Sequence, residues 1–117
     1  MAHITEEQWQ VFLASHPEAH LLQTAEWGRL KSCFGWRAAY LVKGEAGAQI
    51  LFRKLPLGFS FAYLPKGPVG GRLDFLVDEL DQLCRTNHAI FLKVEPDEWR
   101  EDTNRTEILP VGFQPST

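Results

Sequence analysis

The stretch GRLDFLVDELDQLCR, residues 71–85, constrains the fold more than any other part of the chain. Leu73, Leu76, Val77, Leu80, Leu83 and Cys84 recur at i, i+3, i+4 and i+7. That spacing predicts an amphipathic helix with one face for burial. Asp74, Asp78, Glu79 and Asp81 fall on the other faces and read as a solvated acidic surface, not a metal site. Apolar runs flank the helix, FSFAYL at 59–64 and AIFLKV at 89–94. If these two strands are neighbours, a helical crossover makes them parallel and right-handed. Both then end at one edge of the sheet, where ligands of α/β sheets gather. Lys66 follows the first strand and Glu95 the second, so the two are expected to face one crevice. The helix N-terminus near Arg72 is expected to point its partial positive charge the same way.

The corner LPKGPVGG at 64–71 has a second reading, a rigid turn carrying a solvated lysine. Gly67, Gly70 and Gly71 match neither GxGxxG nor a P-loop. Glu95, Asp97 and Glu98 are open to two readings as well, a carboxylate pair for acid–base work or a loop with helix-capping duties.

Upstream, Thr5 and Gln8 have capping-box spacing, with Ile4 and Trp9 at the staple positions and Pro17 closing the helix. Thr24 is the expected N-cap of a second helix, on which Trp27, Leu30 and Phe34 form an apolar stripe. Lys31 lies four residues after Trp27, on the margin of that stripe, and Gly35 is the expected C-terminal cap residue. WRAAYLV places Trp36, Ala38, Tyr40 and Val42 on one strand face. A tight turn at 43–45 leads into AGAQILFRKL, and LPLG turns into the third strand, with Phe59, Phe61 and Tyr63 on one side. Such short connections imply an antiparallel meander. The order is helix, helix, three strands, helix, strand: an α+β domain with a mixed, mainly antiparallel sheet flanked by helices. Residues 103–117 are expected to be a flexible tail.

The 117 residues suit one domain, and the net charge of −3 argues against a sequence-independent grip on nucleic acid. Cys33 and Cys84 both fall on apolar stripes and are expected to be buried, reduced thiols. No CxxC or Cys/His cluster is present, and His3, His16, His20 and His88 lack a ligand spacing, so no metal is expected. The sequence shows no signal-peptide h-region and no run long enough to span a membrane, which points to the cytoplasm.

Three segments together, FLASHPEAHLLQTAEWGRLKSCFGW, AGAQILFRKLPLGFSFAYLPKGPVG and AIFLKVEPDEW, with a final GFQPS, resemble the N-terminal part of the FemABX family. The resemblance covers nearly the whole chain. It implies a non-ribosomal peptidyltransferase that moves an amino acid from aminoacyl-tRNA to the stem peptide of a peptidoglycan precursor. The acceptor would be a UDP-linked muropeptide or lipid II, and the product the interpeptide bridge of the cell wall. The implied fold is a pair of N-acetyltransferase-like (GNAT-like) domains, of which residues 1–117 would be one incomplete copy.

Carried over residue by residue, the family's phosphate-contacting lysine falls on Lys31, and its KGP turn on Lys66, Gly67 and Pro68. An acidic residue before a proline, beside the acceptor cleft and proposed as a base, falls on Glu95. A tyrosine that lines the cleft in some members is replaced by Ile90. The hairpin YLVKGEAGAQ is shorter than usual, and the arginine partner of the cleft lysine and the tRNA-binding regions would lie beyond residue 117. The acetyltransferase pyrophosphate loop, Q/R-x-x-G-x-G/A, is absent, so coenzyme A is not expected. Two other readings stand beside this one. The first is a non-catalytic binding module whose open sheet edge pairs with a second copy or a partner chain. The weaker is a small-molecule N-acyltransferase.

Overall fold

A computed structural model describes residues 3–95 and the backbone of residues 107–110. Six strands form one sheet in sequence order: β1 (His3–Ile4), β2 (Trp36–Lys43), β3 (Ala46–Lys54), β4 (Ser60–Pro65), β5 (Ala89–Glu95) and β6 (Glu107–Pro110). Every neighbouring pair is antiparallel except β4 and β5, which run parallel with Pro65 opposite Glu95. The meander and the parallel pair across the helical crossover are thus as expected. Gly44, at φ +61°, makes the tight β2–β3 turn. Within the tail expected to be flexible, Glu107–Pro110 pairs with β5 as a strand. The remainder of that tail, together with Asp97 and Glu98, lies outside the described residues.

The crossover helix begins later than its pattern implies. Leu73–Leu76 winds as a 3-10 turn and the α-helix α3 spans Val77–Thr86. Arg72 offers no side-chain cap to the 3-10 turn, and Leu76 offers none to α3. α3 lays Leu80, Leu83 and Cys84 on one sheet face, against Ala48, Ile50, Ala62, Leu64, Leu92 and Val94. Burying each such leucine contributes roughly 1.5–3 kcal/mol. The acidic surface of this helix is less solvated than expected. Asp81 is buried and accepts a 2.8 Å bond from Arg85, and Glu79 pairs with Lys43 at 3.2 Å.

The opposite face is covered by α1 (Glu6–Ala14) and α2 (Ala25–Ser32). α1 has the expected capping box, with Thr5 and Gln8 each bonding the other's backbone N–H. Its Trp9 is fully buried with Tyr40, Ala25 and Val69, and Ile4 packs against this cluster. α2 corrects the sequence reading. It docks through its small residues, Ala25 and Gly28, which are buried, while Leu30 is 49% and Phe34 65% exposed. Gly28 comes so close to Gln49 and Ala38 that only a residue without a side chain fits. Leu30 and, past the helix end, Phe34 therefore face outward, while Trp27 is partly buried. Cys33, expected in the core, sits at the exposed C-cap for the same reason; Cys84 is buried as expected.

No helix among the described residues is long and apolar enough to cross a membrane. One backbone feature stands out in the β3–β4 connection. Leu57 adopts φ +68° while 91% exposed. That conformation costs a side-chain-bearing residue roughly 1–2 kcal/mol, and burial of the leucine offsets none of it.

Candidate functional site

Among the described residues, α1 and α2 pack mainly on β2, with α2 reaching β3, and the β3–β5 side of the same face is less covered, with Phe91 exposed. Strand register determines what is displayed there. One row across the sheet runs Trp36, Arg53, Phe61, Phe91, and the next runs Ala38, Leu51, Tyr63, Lys93. These residues form a connected strip. The Lys31 ammonium lies over two indoles, 5.6 Å from the Trp27 centroid and 5.3 Å from that of Trp36. Trp36 also carries the Arg53 guanidinium at 5.6 Å and tilts against Tyr63 at 6.1 Å. Lys93 sits over the Tyr63 ring at 5.4 Å. The Tyr63 hydroxyl donates a 2.8 Å hydrogen bond to Glu95 Oε1.

The strip is therefore cationic and aromatic, with one carboxylate at its far end. A cation over an aromatic face gains roughly 0.5–1 kcal/mol at exposed sites. Lys31 is half-buried, held by its stem while its charge stays available. Among the described residues, Lys31, Arg53 and Lys93 form no ion pair with a carboxylate. The indole N–H of Trp27 is buried with no hydrogen-bond partner among the described residues. Such a surface can hold an anion beside a flat or apolar ring.

The corner after β4 is built by a side chain the sequence reading passed over. Gln23 is fully buried, and its amide sits between β3 and β4 where the two strands stop pairing. Its Oε1 accepts from the Gln49 N–H at 2.8 Å, and its Nε2 donates to the Pro65 carbonyl at 2.6 Å. One side-chain amide thus substitutes for a missing stretch of strand ladder. Beyond it, Gly47 and Val69 exchange a pair of backbone bonds. Between these two anchors lie Lys66, at φ +52°, and a cis bond joining Gly67 to Pro68. The corner is the rigid turn the prolines and glycines indicated.

The predicted residues separate accordingly. Lys66 and Glu95 do follow neighbouring strand ends at one sheet edge. Glu95, however, bonds Tyr63, and Lys66 has no ion pair among the described residues. Lys31 and Glu95 belong to one strip, linked through Trp36 and Tyr63. Ile90 is left without a partner at the β4–β5 irregularity between Ser60 and Phe61, and Tyr63 of the adjacent strand is the tyrosine that reaches Glu95. Trp27, Trp36, Arg53, Tyr63 and Lys93 were not singled out from the sequence as site residues. A signal did exist for Lys93, a charge inside the apolar run AIFLKV.

The two tyrosines in the chain are both held protonated. Burial pushes the Tyr40 and Tyr63 phenols up to about 12, and at Tyr63 the hydrogen bond to Glu95 adds to the effect. An unfolded tyrosine ionises at about 10. Between those values the folded state binds more protons than the unfolded state. Stability from these groups is therefore complete below about pH 10 and is lost as pH rises through about 12. Tyrosinate absorbance of the native protein should stay flat through about pH 10 and grow in only near 12. A native-state midpoint at the unfolded value for Tyr63 would show that its phenol is not sequestered.

Comparison with known proteins adds the following. The FemAB family model matches residues 4–111. The lipid II:glycine glycyltransferase of Staphylococcus aureus is 32% identical over 106 residues, which cover 81% of this chain and 25% of that protein. The same enzyme from strain USA300 matches equally. Among solved structures, the crystal structure of FemX superposes with a TM-score of 0.70 at 31% identity, covering 82% of this chain and 27% of that one. The chain thus spans about a quarter of the length of the relatives it matches.

Proposed function

The chain belongs to the FemAB family, and on that premise we propose that its open sheet face is part of the acceptor-binding site of an aminoacyltransferase of peptidoglycan bridge formation. The observation that carries this reading is the unbroken strip from Lys31 over Trp36 and Tyr63 to Glu95. An acceptor of this class, a UDP-linked muropeptide or lipid II, carries a pyrophosphate, sugar rings and a free amine. Lys31 binds a phosphate of that acceptor, Trp36 and Trp27 line the space beside it, and Arg53 and Lys93 supply further positive charge. In the reaction, the acceptor amine attacks the ester carbonyl of an aminoacyl-tRNA. The C–N bond forms, the C–O bond to the ribose breaks, and the amine proton passes to the leaving hydroxyl. Aminolysis of an activated ester needs positioning and charge stabilisation more than a covalent nucleophile.

Glu95, oriented by Tyr63, is the candidate base for the amine proton. Lys66 lies on the same edge, and Gly67 and Pro68 shape its turn. The tRNA would be engaged by regions outside this chain, and no coenzyme A is required.

The test is a titration of UDP-linked muropeptide against the protein and its Lys31→Ala variant. Loss of one charge-assisted phosphate contact, worth roughly 1.5–3 kcal/mol, is expected to weaken binding at least tenfold. Equal binding by both proteins, or none by the parent, would remove Lys31 from the site. Transfer of a labelled amino acid from aminoacyl-tRNA by the same preparation separates an enzyme from a module that only binds.

A further inference from the structure

We propose that the β3–β4 connection is a membrane-docking tip, which seats the protein on a bilayer bearing anionic headgroups. This inference goes beyond the acceptor site: its basic groove borders that strip at Trp36 and Arg53, while the apolar loop itself lies outside it. Three large apolar side chains project from one five-residue loop: Leu55 is 37%, Leu57 91% and Phe59 46% exposed. The loop is not slack. The Leu55 N–H donates to the Phe59 carbonyl at 2.8 Å, closing its base. Leu57, at its centre, is held at φ +68°, a conformation that favours glycine or asparagine. A leucine held there and left in water gains nothing within the fold, and such outliers point to an external role.

Charge identifies the partner. The loop borders a groove of about 880 Å³ whose lining includes Arg37, Arg53 and Lys54 and contains no acidic residue. None of the three cations is paired with a carboxylate among the described residues. The chain as a whole carries a net charge of −3, so this end is basic against the general trend. Aliphatic and aromatic side chains ringed by cations match the boundary between acyl chains and anionic headgroups. A nucleic acid would use the cations and leave the leucines unrewarded.

The test is co-sedimentation of the purified protein with vesicles of phosphatidylcholine alone or with roughly a third phosphatidylglycerol added. The vesicles contain no peptidoglycan precursor, and Leu57 and Lys54 lie outside the acceptor strip, so these variants separate the two readings. The protein is expected to pellet with the anionic vesicles, and less so at high salt. Leu57→Asn should reduce that binding about tenfold, by loss of one inserted apolar side chain. Asparagine tolerates the left-handed backbone, so the same variant should match or exceed the parent in thermal midpoint. Lys54→Gln should weaken the preference for anionic over neutral vesicles. The proposal is overturned if the parent does not pellet, or if Leu57→Asn pellets as the parent does. It is equally overturned if Lys54→Gln loses binding to tRNA and not to vesicles.

Discussion

Gln23→Leu is expected to lower the unfolding free energy by about 3 kcal/mol, the largest effect of any single change considered. Leucine nearly matches the volume, so the cost is not a cavity. It arises from the polar groups that the amide now satisfies. The Gln49 N–H and the Pro65 carbonyl would both be left buried without partners, and each such orphan costs roughly 1–3 kcal/mol. Gln23→Glu provides an internal control. A protonated carboxyl keeps an acceptor and one of the two donors that the amide gives to the Gln49 and Pro65 carbonyls, whereas a carboxylate offers only acceptors. Burial would raise the carboxyl's pKa, so this variant should be more stable at acid pH and lose that stability as pH rises through the folded value. Chemical denaturation at two pH values checks both variants. A loss well under about 1 kcal/mol for Gln23→Leu would mean that water replaces the amide. The same amide holds the residue immediately before Lys66.

Gly28→Ala is expected to destabilise the protein by about 1–2 kcal/mol, although alanine is the better helix former by about 1 kcal/mol. A Cβ at position 28 would clash with Gln49 Oε1 and stand 3.3 Å from the Ala38 Cβ. Gln49 cannot swing aside freely. It is fully buried, and its Nε2 donates to the carbonyls of Leu22 and Thr24 at 3.2 and 2.9 Å. The helix must lift from the sheet instead, and α2 carries both Trp27 and Lys31. On the proposed acceptor site, binding should therefore weaken along with stability. The double variant Gly28→Ala with Gln49→Ala should cost less than the two single changes summed, since truncating Gln49 removes the clash. Thermal unfolding of the three variants decides it, and a stabilised Gly28→Ala would mean that the helix is not seated on its glycine.

Much of the architecture is legible from local pattern. Alternation in WRAAYLV and helical spacing in LVDELDQLC report which side of each element faces a core, because burial imposes the period of the backbone on the sequence. The capping box of α1 and the parallel pairing of β4 with β5 follow from equally local rules. Lys31 is legible as well, as a charge on the margin of an apolar stripe. The stripe itself misleads. Trp27, Leu30 and Phe34 have the spacing of a buried face, yet the face α2 buries is the one with no bulk, Ala25 and Gly28. Periodicity detects large apolar residues and is blind to a close approach made through small ones.

The sequence by itself determined the three main helices and four main strands in their order, though not the edge strands β1 and β6, and with them the corner at 64–71 and the sheet edge where Lys66 and Glu95 emerge. Only the tertiary structure decided that Glu95 bonds Tyr63, that Lys31 rests on Trp27 and Trp36, and that Gln23 bridges β3 to Pro65. The reason is physical. A strand's pattern shows which of its faces is apolar, but not how far a helix from elsewhere in the chain will cover that face. Among the described residues α1 and α2 pack mainly on β2 and part of β3, which leaves Phe91 exposed and Tyr63 and Lys93 half-buried on the same face.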